Sequence, residues 1–207
     1  MNTRTLLLAG AAVAALSPAA HAERGAQGQM NMIFWQAPST LNLYLSTGTK
    51  DITAASLVLE PLANFDAKGD LVAKLAAEIP TLENGGVAQD SKSITWKLKD
   101  GVKWSDGTPL TAEDVKFTAD YCMDESGGCA QAAKFTGIAS VEVVDPLTVK
   151  INFTEARPYP YSAFVGGQAP IIQKAQFQDC TGERAPTCTE QNFAPIGTGP
   201  YRVTEFR

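Results

Sequence analysis

The side chains able to do covalent or acid–base chemistry in this 207-residue chain are few in kind: four cysteines, one histidine and 22 carboxylates. His21 lies in an amino-terminal stretch that reads as a removable leader, so the mature chain is expected to hold no imidazole. That excludes a Ser-His-Asp triad, a Cys-His pair and every metal site that needs histidine. The carboxylates sit mostly beside turn glycines or at a helix start, as in Asp100-Gly101, Asp106-Gly107 and Glu113-Asp114, where they serve turns and caps. No Ser-x-x-Lys or similar histidine-free nucleophile has a convincing setting. Catalytic residues are therefore read as none, and metal ligands as none.

The cysteines fall in two close pairs. Cys122 and Cys129 flank the flexible Ser126-Gly127-Gly128, and Cys180 and Cys188 flank Thr181-Gly182 and Pro186. Two local disulfides, Cys122 with Cys129 and Cys180 with Cys188, are the preferred pairing, because closing a short loop costs little entropy and an exported protein meets an oxidising compartment. A zinc site of four thiolates is the rival, weakened by the absence of close C-x-x-C spacing. Spacing by itself leaves the connectivity open.

Export is read from the first 22 residues. Arg4, an apolar run from Leu6 to Leu16 and Ala20-His21-Ala22 describe a secretory signal peptide, with cleavage expected after Ala22. The run is too short to span a bilayer as mature structure, and no cysteine near the junction indicates a lipid anchor. The expected location is the periplasm. Composition agrees with a globular product: 44% hydrophobic and 19% charged residues suffice for a buried core at this length. The formal net charge of −5 becomes −6 when Arg4 leaves, and no Lys/Arg cluster offers a surface for nucleic acid or anionic membrane. No cofactor is indicated.

The elements that must position any site are legible in residues 93–117. Ile94, Trp96 and Leu98 alternate with Thr95, Lys97 and Lys99, as a half-buried strand requires. Asp100-Gly101 turns the chain, Val102 and Trp104 restart the alternation as a second strand, and Asp106-Gly107 with Pro109 reverses it again. Thr111 then caps a helix whose first turn holds Glu113 and Asp114, with Val115, Phe117, Thr118 and Tyr121 as its inward face. Trp96 and Trp104 are read as core rather than stacking platforms, since they lie on the apolar faces of their strands. Elsewhere, residues 30–35 read as a buried strand and 52–59 as a helix. Residues 64–71 read as a hairpin around Lys68-Gly69. Residues 141–144 and 148–153 form another around Asp145-Pro146-Leu147.

The run from Leu98 through Asp100-Gly101-Val102-Lys103-Trp104-Ser105-Asp106-Gly107-Thr108-Pro109-Leu110-Thr111 to Val115 resembles the signature of the periplasmic dipeptide- and oligopeptide-binding receptors of ABC importers, solute-binding protein family 5. Other landmarks follow in order: Thr40-Leu41-Asn42, Leu59-Glu60-Pro61-Leu62, Asp66 through Gly69, Leu75-Ala76-Ala77-Glu78 and Gly197-Thr198-Gly199-Pro200-Tyr201. The resemblance runs from about Met32 to the last residue.

The resemblance implies an α/β fold of the type II periplasmic-binding (Venus-flytrap) kind with mixed β-sheets. It implies a large-lobe segment at 23–59, a small inserted subdomain at 60–165 and a second large-lobe segment at 166–207. Residues 201–206 would be the first strand of a hairpin. The second lobe would be absent, the chain matching the amino-terminal portion of a receptor. Matching Leu41-Asn42-Leu43 to the family puts Thr47, Gly48 and Thr49 where the first lobe meets the ligand backbone. Gly166, Gly167 and Gln168 form a second candidate, with a hinge needing small residues as the alternative. The implied function is non-catalytic capture of a di- or oligopeptide and its delivery to permease subunits of an ABC importer by a monomeric, non-spanning receptor. Same-fold receptors for nickel, haem or oligosaccharide, and a secreted hydrolase, are the alternatives.

Overall fold

The structure, a computed structural model, describes Gly28 and residues 31–207. The leader, His21 and Met30 lie outside the described residues. Packing is that of one unit, Trp35–Arg207.

Alternation of apolar and polar residues becomes a three-stranded antiparallel sheet. β3 (Ser93–Lys97) and β4 (Ile138–Asp145) flank β5 (Thr148–Phe153), while β1 (Ala63–Phe65) and β2 (Leu71–Ala73) form a separate hairpin. Ile94 stands opposite Ile151, which faces Val141; Trp96 stands opposite Val149, which faces Val143. These rows make one continuous apolar face. Trp96 is fully buried and Trp104 is 2% exposed, so both indoles are core.

α2 (Ala112–Met123) lies against β4 and β5 through Val115, Thr118, Ala119 and Cys122. Its start is held by the Asp114 carboxylate, which accepts from the Thr111 amide at 2.9 Å in a capping box. The same carboxylate accepts from the Trp104 indole at 3.4 Å and from the Lys174 amide at 2.9 Å. One acid thus joins the cap, the loop before it and α3 (Lys174–Phe177).

A second knot lies under the 40–44 segment. The fully buried Asn42 donates to the Asn192 carboxamide at 2.8 Å and to the Tyr121 hydroxyl at 3.0 Å, and accepts from the Tyr44 amide at 3.1 Å. A buried carboxamide without such partners would carry a large desolvation cost. Asn192 belongs to α4 (Thr189–Phe193), so the knot fixes the 40–44 segment against that helix.

Both disulfides form as read, Cys122 with Cys129 (Cα–Cα 5.1 Å) and Cys180 with Cys188 (5.9 Å). All four sulfurs are consumed, which removes the four-thiolate zinc alternative. Both hairpins form as read, with Phe65 opposite Leu71 and Asp145 opposite Thr148.

Four element readings need correction. Residues 31–35 carry no strand, and Ile33 and Trp35 are 100% and 76% exposed; no described residue supplies a ladder partner. The helix read at 52–59 is α1 (Thr49–Ala55), starting three residues earlier after Gly48. It stops early because the Leu57 and Val58 amides turn to the i−3 carbonyls of Ala54 and Ala55 at 3.2 and 2.9 Å, and the carbonyls of Leu57 and Val58, left free by the turn, accept from the Tyr201 and Gly199 amides. That approach needs glycine: a Cβ on Gly197 would lie 1.9 Å from the Val58 oxygen. The second strand at 102–104 is a wide turn, with Trp104 N–H to Thr108 O at 2.8 Å, Leu110 N–H to Val102 O at 3.0 Å and one bridge between Lys103 and Pro109. Proline has no amide with which to extend that ladder. Residues 201–206 likewise form no strand.

Candidate ligand-binding surface

Asp51 organises the first candidate segment. It is 2% exposed, and its two oxygens are filled: Oδ1 accepts from the Ser39 amide at 2.6 Å and the Lys50 ammonium at 2.9 Å, and Oδ2 from the Ser46 hydroxyl at 2.6 Å. Burial pushes its pKa up, but the bonds from Ser46, Lys50 and Ser39 and the Lys50 charge outweigh this and hold it below the ordinary aspartate value. Ser46 in turn accepts from the Gly48 amide at 3.0 Å. The loop is thereby fixed, with Gly48 half-buried and Thr47 and Thr49 exposed on either side. A Cβ on Gly48 would press on Asp51 Oδ2 at 3.1 Å.

The second candidate segment is set by a neck in the chain. Leu62 N–H donates to Phe164 O at 2.9 Å, Gly166 N–H to Ala63 O at 2.9 Å and Ile171 N–H to Glu60 O at 2.9 Å, so the returning chain runs beside the departing one. Phe164 is fully buried at φ +61° and Gly166 follows at φ +84°. Left-handed backbone costs a side chain of this size about 1 kcal/mol. Its ring packs edge-on against Phe135 at 5.4 Å, which holds it there. Gly167 faces α1: a Cβ placed on it would sit 3.7 Å from Ile52 Cγ2. Gln168 is exposed.

Residues 47–49 and 166–168 therefore border one helix, the first as its start and the second at Ile52, one turn on. Two further residues join them, and both escaped the reading of the sequence. Gln131, 6% exposed, donates to Ser46 O at 2.9 Å and Leu43 O at 3.4 Å. Lys134, half-buried, donates to Val165 O at 3.4 Å, and burial lowers its pKa. The 3-10 turn Ala132–Lys134 follows Gln131, and side chains three apart eclipse in such a turn. One side chain thus reaches each candidate segment. The only hint in the sequence was that spacing of three across Ala132-Ala133. The Cys122–Cys129 bridge anchors the turn to the end of α2, with the Gln131 amide against Cys129 Sγ at 3.4 Å.

No group of three or more His, Cys, Asp or Glu suited to a metal ion occurs among the described residues. The surface presents the hydroxyls of Thr47 and Thr49, backbone amides, the carboxamides of Gln131 and Gln168 and the ammonium of Lys134. Such groups can donate and accept hydrogen bonds.

Residues 70–207 match the family described as bacterial extracellular solute-binding proteins, family 5, middle region. The chain belongs to that family. Among curated relatives of this family, the glutathione-binding protein GsiB of Shigella flexneri is 30% identical over 170 residues, covering 80% of this chain and 30% of that protein. The chain thus spans under a third of the length of that relative. Two solved structures superpose on it. NikA from Brucella suis in complex with Fe(III)-EDTA gives a TM-score of 0.66 at 28% identity, covering 83% of this chain and 32% of that one. The oligopeptide-binding protein AppA from Bacillus subtilis in complex with a nonapeptide gives 0.72 at 22%, with the same coverage. The fold is that of the type II periplasmic binding proteins. No described helix is long and apolar enough to cross a membrane.

Proposed function

We propose that this chain forms the ligand-facing part of one lobe of an extracytoplasmic receptor that captures peptides and hands them, unaltered, to the permease of an ABC importer. The observation that carries the reading is the meeting of residues 47–49, 131–134 and 165–168 around α1. Exposed hydroxyls at Thr47 and Thr49, and a glycine pair at 166 and 167, suit close approach of an extended backbone, which recognises a peptide through main-chain hydrogen bonds. Relatives named for glutathione and solved with a nonapeptide support a peptide ligand.

The neck between residues 60–63 and 164–171 supports dividing the chain there. Residues 60–165 would form an inserted subdomain between large-lobe segments 23–59 and 166–207. Export through the leader at 1–22 and a monomeric, periplasmic receptor complete the reading.

A metal-chelate receptor is the second reading, favoured by the likeness to NikA with Fe(III)-EDTA. Calorimetric titration of the chain with trialanine, glutathione and Fe(III)-EDTA separates the two, and parallel assays with peptide and ester substrates test turnover. Heat from the peptides with no product formed is the expected result. Heat from Fe(III)-EDTA alone would move the assignment to chelates, and product formation would end the receptor reading.

A further inference from the structure

Lys134 is the charged group of this surface without a counter-ion. The described lysines with ion pairs are Lys50 with Asp51, Lys116 with Asp120 and Lys174 with Glu113. Most remaining lysines are exposed and hydrated, and Lys150, half-buried, lies on β5 between Thr95 and Glu142. Lys134 is half-buried beside the returning chain, and its ammonium has three donors but meets one acceptor, the Val165 carbonyl, at the long distance of 3.4 Å. A desolvated ammonium so poorly satisfied is unfavourable, and burial does lower its affinity for the proton. A bound anion would reverse that cost.

The neighbouring backbone offers what an anion needs. Gly166 turns at φ +84°, and the Gly167 and Gln168 amides after it have no acceptor among the described residues. Without a Cβ at 166 or 167, oxygens can approach those amides closely. An ammonium held on the Val165 carbonyl, with two free amides two and three residues further along the same chain, suits a carboxylate, whose two oxygens accept charge-assisted hydrogen bonds.

We infer that the solute presents a carboxylate to the corner formed by Lys134, Gly167 and Gln168, and that Lys134 selects for it. This rests on the receptor reading above and adds the ligand's charge and its place on the surface. It is a statement about which end or side group of the solute meets this lobe.

The test compares acids with their neutralised forms. Trialanine and trialaninamide, and glutathione and its diester, are titrated by calorimetry into the full chain and into Lys134→Met and Lys134→Arg, with melting curves confirming that each variant folds. Wild type should bind each acid about tenfold or more tightly than its neutral form, the magnitude of one charge-assisted bond. Lys134→Met should bind both forms alike at the weaker level, and Lys134→Arg should keep most of the preference. Should Lys134→Met fail to fold, Lys134→Gln replaces it, and an acid preference that survives undiminished in the folded neutral variant overturns the assignment to Lys134. Equal binding of acid and neutral forms by wild type overturns the inference and leaves the receptor reading standing. Absence of binding by every probe overturns the receptor reading, and the inference with it.

Discussion

The carboxamide of Gln131 donates to the backbone carbonyl of Ser46 at 2.9 Å, across 85 residues of chain. The bond joins the 3-10 turn that carries Lys134 to the loop that carries Thr47 and Gly48. Gln131→Ala would leave the half-buried Ser46 carbonyl without this donor, costing about 1 kcal/mol. Chemical denaturation should show a loss of that size, with Gln131→Glu at least as damaging because a carboxylate cannot donate. A change under about 0.5 kcal/mol, the range of an ordinary surface substitution, would mean the two segments do not depend on this bond.

Asp51 makes the loop sensitive to acid. It takes up its proton less readily in the folded chain than in the unfolded one, so its contribution is complete above the ordinary aspartate value of 3.8 and is lost as pH falls through the lower, folded value. Asp51→Asn should therefore flatten the acid limb of stability against pH below about pH 4, while lowering stability at neutral pH. Melting curves from pH 2 to 7 check this; an unchanged acid limb would show that Asp106 and Asp145, also held below 3.8, carry it.

The Cys122–Cys129 bridge should hold Gln131 and Lys134 in place. In the loop-entropy account a bridge of this span contributes about 2–3 kcal/mol. Cys122→Ala with Cys129→Ala should lower stability by that amount and speed amide exchange across 129–136 more than across β5. Uniform acceleration would assign the bridge a global role instead.

Gly197→Ala tests the close approach of the 197–201 segment to the turn after α1. The added carbon would meet backbone, which cannot swing aside as a side chain can, so overpacking should cost about 1–3 kcal/mol and loosen residues 55–59. Exchange rates unchanged at those residues would contradict it.

Much of residues 93–153 was legible because its signals are local. Ile94, Trp96 and Leu98 alternate, Thr111 and Asp114 cap α2, and Asp145-Pro146-Leu147 turns a hairpin, each within a few residues. The failures share one cause, dependence on distant chain. Residues 31–35 are apolar enough for a strand but join no ladder among the described residues, and the chain after α1 turns at 56–58 to place the carbonyls of Leu57 and Val58 against the Tyr201 and Gly199 amides. Thr47–Thr49 and Gly166–Gln168 came from family likeness, and their shared border on α1 is a tertiary fact. Gln131 and Lys134 escaped notice because a lone glutamine and lysine in a short alanine-containing turn carry no pattern until the segments they reach are known.

The central claim is that three loops around α1 grip a solute. Amide chemical-shift mapping of the isotopically labelled chain during titration with trialanine tests it most directly. Saturating shifts concentrated at Thr47, Gly48, Lys134, Gly167 and Gln168, with the peptide recovered intact, are the predicted result. Shifts confined to another face of the molecule, or cleavage of the peptide, would contradict it.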